Sequence, residues 1–119
     1  MRALAVALVV LVALEHVWFL VLEMFLFTKP IGLQTFRMSA EKAKECAALA
    51  ANQGLYNGFL AAGLVFGLLA GPCATAFTVF FLACVVVAGI FGAATVSRRI
   101  LLVQALPAAV AMALVLLTR

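Results

Sequence analysis

The chain has 119 residues, of which 69% are hydrophobic and 10% charged, with a formal net charge of +4 and a mean hydropathy of +1.33. Soluble domains average roughly 45–50% apolar and about 25% charged residues. A chain this poor in polar groups cannot cover itself against water, so lipid is its expected main solvent, and the scattered basic residues form no aromatic-interleaved patch for nucleic acid.

A spanning helix needs about 20 mostly apolar residues, so at most four fit, in one domain over residues 1–119. The first is expected over about residues 3–27. Arg2 followed by an apolar stretch resembles a signal peptide. The run continues through Glu15 and His16 to Phe27, too long for a signal core and without a small-x-small cleavage site, so a permanent span is expected. It should stop at Thr28, Lys29, Pro30 and Gly32. Residues 28–45 form the one long loop. Leu33, Phe36 and Met38 mixed with Arg37 suit a segment at the headgroup boundary. Ser39 should cap the next helix, with Glu41 favoured in its first turn and paired with Lys44 on a wet face. That helix should span lipid over about residues 46–70, ending at Gly71-Pro72. Further spans are expected at about 74–96 and 100–117, the last kinked by Pro107. The expected fold is all-α, an antiparallel four-helix transmembrane bundle with one long cytoplasmic loop between its first two helices.

Loop charge orients such a bundle. Lys29, Arg37, Lys42, Lys44, Arg98 and Arg99 fall on one side, and only Arg2 and Arg119 on the other. The positive-inside rule then places the long loop in the cytoplasm and both termini outside it. Gly63, Gly67 and Gly71 recur every four residues, as do Gly54, Gly58 and Ala62. These stripes lie on nearly opposite faces and let neighbouring backbones approach closely; Gly89 and Ala93 could act likewise. Cys46, Cys73 and Cys84 make no disulfide framework and read as small apolar fillers.

The chemistry concentrates in a few polar residues inside apolar runs. Ionisable groups in hydrocarbon are expensive, which makes Glu15, His16 and Glu23 the expected acid–base residues. His16 and Glu23, seven apart, share a helix face. Asn52, Gln53, Tyr56 and Asn57 on the second span, with Trp18 and Gln104, are the expected ligand-contacting residues. At 1.5 Å rise per residue, Glu23 should lie roughly 6 Å deep and Asn52 roughly 9 Å, with Glu15 and Asn57 near the centre at roughly 16–18 Å. Matching depths predict Glu23 beside Asn52 or Gln53, and Glu15 or His16 beside Tyr56 or Asn57. The amides serve equally well as hydrogen bonds joining helices, and Trp18 should pack in the core or line a pocket. One histidine and two glutamates on one helix do not make a structural zinc set, so no metal and no cofactor are expected.

Leu14-Glu15-His16, Leu22-Glu23-Met24-Phe25 and the run Ala50-Ala51-Asn52-Gln53-Gly54-Leu55-Tyr56-Asn57-Gly58-Phe59-Leu60-Ala61-Ala62-Gly63-Leu64 resemble a family of small bacterial integral membrane proteins, domain-of-unknown-function family 1304. The resemblance covers essentially the whole chain. It implies a four-helix protein of the bacterial inner membrane and no particular activity. In length, span number and a glutamate midway along the first helix, the layout also resembles small multidrug-resistance exporters. The long loop and the Asn-Gln-Gly run depart from that pattern. Three functions follow as expectations: binding or proton-linked transport of a small or lipid-like molecule with Glu15 as the proton-linked or cation-binding site, a membrane-embedded enzyme on a lipid-like substrate with Glu15, His16 and Glu23 as acid and base, or a non-catalytic oligomeric scaffold or subunit. The lipid bilayer, such a ligand and further copies of the chain are the expected partners.

Overall fold

A computed structural model describes residues 2–119 and shows, among them, an all-helical chain without strands. Five α-helices run in order: α1 (Arg2–Met24), α2 (Pro30–Phe36), α3 (Ala40–Leu69), α4 (Ala74–Thr95) and α5 (Leu106–Leu117). A 3-10 turn (Gly71–Cys73) precedes α4, and a π-helical turn (Leu101–Ala105) precedes α5. By length and composition, two stretches can cross a membrane, Arg2–Met24 and Gly71–Thr95, while the apolar stretch Leu101–Leu117 is shorter. Asn52, Gln53 and Asn57 dilute the apolar character of α3.

The chain forms two compact units, residues 15–59 and the remainder. The 15–59 unit departs most from the expected boundaries. The first helix ends at Met24 rather than Phe27. The N–H groups of Phe25 and Leu26 both reach the Val21 carbonyl, at 3.0 and 3.1 Å, and Lys29 N–H closes a turn on Leu26. This turn tucks Phe27 into a small core with Ala43 and Ala50, against Leu33, Phe36, Met38, Cys46 and Ala47. Burying Phe27 there competes with continuing the helix, and the turn wins.

The expected loop contains α2. Pro30 starts it, because proline's missing N–H and fixed φ suit the first helical turn. Leu33 and Phe36, three apart, face the small core, with the Phe36 and Phe27 rings 5.2 Å apart. Gly32 lies directly against the backbone carbonyls of Leu26 and Phe27. Arg37 closes α2 in the left-handed region (φ 52°), and Met38 N–H reaches back to the Leu33 carbonyl at 3.1 Å. Ser39 then caps α3 as expected. Its hydroxyl accepts from Lys42 N–H at 3.2 Å and its carbonyl from Ala43 N–H at 3.0 Å, with Glu41 in the first turn.

The other unit holds the larger core. Val9, Val12 and Ala13 of α1 meet Leu64 of α3, Leu82 and Val85 of α4, and Ala108 and Ala111 of α5. Glycines set the closeness of packing. A side chain at Gly67 would meet the backbone nitrogen of Thr78 at 2.9 Å, and one at Gly89 that of Ala105 at 2.8 Å. Gly71 instead serves the turn between α3 and α4, with φ at +57° and open space around it. The expected kink at Pro107 takes a specific form. Proline has no N–H to give and its ring crowds the carbonyl one turn earlier. The preceding turn widens to π geometry, with Leu106 N–H reaching the Leu101 carbonyl, and Gln104 sits within it.

Candidate carboxyl site

Eight of the nine residues expected to carry chemistry lie in the 15–59 unit; Gln104, half-buried in its π turn, lies in the other. Glu23 is the focus. It stands one residue before the end of α1, half-buried, and its Oε1 accepts a hydrogen bond from Asn57 Nδ2 at 3.2 Å. Its second oxygen, Oε2, is buried and has no hydrogen-bond partner among the described residues. Gly54 makes this approach possible. A side chain there would meet Met24 Cγ at 2.7 Å, Glu23 Cβ at 3.1 Å and the Leu20 carbonyl oxygen at 3.2 Å. Gly58 lies similarly against Leu20 Cδ1. The Gly54–Gly58 stripe therefore brings the α3 backbone onto the face of α1 that carries Glu23.

The pairing differs from the depth-matched expectation by about one helical turn. Glu23 meets Asn57, not Asn52 or Gln53, both of which are exposed. The depth count assumed that the two helices leave the hairpin together. In fact α1 stops at Met24, while α3 begins at Ala40 and spends its first turns against α2 and Phe27. The register is offset accordingly. Glu15, also half-buried, makes no hydrogen bond or ion pair with a described residue.

His16 is fully buried (0% exposed) with its ring edge-on to Phe19 at 5.4 Å. Trp18 is 44% exposed and does not pack in a core. It shares an outward face with Leu11 and Leu14, at i, i+3 and i+7 spacing, both of which are exposed. Tyr56 is likewise exposed, its ring 6.0 Å from Phe59. Sequence reasoning underrated Gly54, whose role was legible only as one member of a small-residue stripe. Among the described residues, no group of three His, Cys, Asp or Glu side chains could hold a metal ion.

The fold and site together define an all-α protein in which a carboxyl–carboxamide pair joins its first and third helices. The chain belongs to a family described as "Protein of unknown function (DUF1304)", which matches residues 10–116. It is similar to the "Uncharacterized protein YpaA" of Lactococcus lactis subsp. lactis (strain IL1403), with 27% identity over 106 residues, covering 87% of this chain and 89% of that protein. No solved structure matches the chain.

Proposed function

We propose that this chain is a multi-pass protein of a bacterial cytoplasmic membrane that binds, or moves in exchange for protons, a small or lipid-like molecule at Glu23. In this reading α1, α3, α4 and α5 form a four-span antiparallel bundle, with α2 at the cytoplasmic surface and both termini on the other side. Large apolar side chains turned outward support a lipid setting, among them Leu14 (61% exposed), Val87 (67%) and Phe91 (69%). Patches of this extent are uncommon on soluble monomers. The loop charge bias supports the orientation. Under that orientation, a membrane-impermeant maleimide added from outside should label the exposed Cys73 and spare a thiol introduced by Arg37→Cys. The opposite pattern would reverse the topology.

One observation carries the site: Glu23 uses one carboxyl oxygen to hold Asn57 and keeps the other buried and unpartnered. A carboxyl in hydrocarbon is stable only with a partner for its charge, and a proton or a bound cation can supply it. The second oxygen is where that exchange would occur. Glu15, one α-helical face removed, is a secondary station. Tetraphenylphosphonium, a lipid-soluble cation, serves as a probe. Its binding to the detergent-solubilised protein should release protons to the medium. Glu23→Gln keeps the shape and hydrogen-bonding capacity but removes the exchangeable charge. It should abolish the release without unfolding the protein, and Glu15→Gln should reduce it. Equal proton release by wild type and both variants would leave the carboxyls as structural hydrogen-bonding groups.

A further inference from the structure

A cavity of about 230 Å³ lies in the other unit, lined by both ends of the described chain. Arg2, Arg119, Thr75 and Thr78 are among its lining residues, with Leu68 and Val115 part of its apolar wall. No acidic side chain lines it. Neither arginine forms an ion pair with a described residue. Thr78 is only 2% exposed, yet its hydroxyl makes no hydrogen bond to a described residue. Thr118 also borders the cavity, but its hydroxyl proton is committed to the Leu114 carbonyl at 2.7 Å. The available donors are thus two guanidiniums and the hydroxyls of Thr75 and Thr78.

We infer that this cavity is a binding site for a phosphate group, the anionic head of a phospholipid being the source that its surroundings fit. Guanidinium donors match phosphate oxygens in paired, charge-assisted hydrogen bonds. A hydroxyl that lines the cavity and makes no hydrogen bond to a described residue gains a partner when an anion oxygen arrives. The volume falls below the roughly 300–1,000 Å³ of drug-sized pockets, which suits a head group whose acyl chains stay outside. The apolar wall of Leu68 and Val115 suits the carbons next to that phosphate. These residues belong to a different unit from Glu23, so the inference stands or falls independently of the carboxyl site.

Native mass spectrometry of the full chain in detergent tests this with phosphatidylglycerol, phosphatidylcholine and inorganic phosphate as separate additions. Wild type should retain phosphatidylglycerol over phosphatidylcholine. Arg2→Gln combined with Arg119→Gln should weaken retention by roughly tenfold or more, because hydrogen bonds to charged groups are lost. Thr78→Val, which removes an unpartnered hydroxyl at constant shape, should leave thermal stability unchanged or higher while weakening phosphatidylglycerol binding several-fold. Displacement of the lipid by inorganic phosphate would confirm the shared phosphate chemistry. Phosphate binding without lipid binding would keep the site and assign it a soluble source. Equal retention of both lipids, unaffected by any variant and with no phosphate bound, would overturn the inference, as would unchanged binding in Thr78→Val.

Discussion

Gly32→Ala should destabilise the protein by about 1–3 kcal/mol, the usual cost of forcing extra atoms into a packed site, and Gly32→Val by more. The methyl would land on the carbonyl oxygens of Leu26 and Phe27 and 2.7 Å from the Phe27 carbonyl carbon. These are backbone atoms of the turn that ends α1, held by the hydrogen bonds from Leu26 to Val21 and from Lys29 to Leu26. They cannot swing aside as a side-chain terminus can. Moving them would also pull Phe27 from its place beside Phe36, Ala43 and Ala50. Gly58→Ala is the matched comparison, because its methyl would meet mainly the flexible end of Leu20. Denaturation midpoints in detergent should fall clearly for Gly32→Ala and only slightly for Gly58→Ala. Equal small effects at both positions would mean that α2 does not pack on the end of α1 as described.

Asn57→Leu should cost a comparable amount for an electrostatic reason. Removing the amide leaves both Glu23 oxygens without partners, and a stranded buried polar group costs about 1–3 kcal/mol, more if charged. Glu23→Met alone strands the Asn57 amide instead. Glu23→Met combined with Asn57→Leu removes both partners and should recover much of the loss, since replacing a whole polar pair by apolar groups is often nearly neutral. The double-mutant cycle should therefore show a coupling of about 0.5–3 kcal/mol. Additive effects would mean that the Glu23–Asn57 hydrogen bond is not made in the folded protein.

The parts of this structure that were legible in the sequence are those fixed by local chemistry. Ser39 capped its helix, Gly71-Pro72 made its turn, and Gly54, Gly58, Gly63 and Gly67 marked the close approaches, because each depends on a few neighbouring residues. That Glu23 would meet an amide of the Asn52–Asn57 run was also readable. Which amide was not. Register across a hairpin depends on where each helix ends, and Phe27 ended α1 early through contacts with residues up to 23 positions away, such as Ala50. Trp18 does not pack in a core, because its helical position puts it on the outward face with Leu11 and Leu14, a placement that depth along the helix does not reveal. The Arg2–Arg119 cavity was invisible to local reading, since its two arginines stand at opposite ends of the described chain.

The central claim is that Glu23 offers a free carboxyl oxygen to lipid-soluble molecules and exchanges a proton there. Dicyclohexylcarbodiimide tests it most directly, because this apolar reagent attacks protonated carboxyls within lipid and leaves a stable N-acylurea that peptide mass spectrometry can locate. In proteoliposomes the reagent should modify Glu23, spare the exposed Glu41 and Glu45, and lose its target in Glu23→Gln. An unmodified Glu23, or modification no greater there than at Glu41 and Glu45, would contradict the claim.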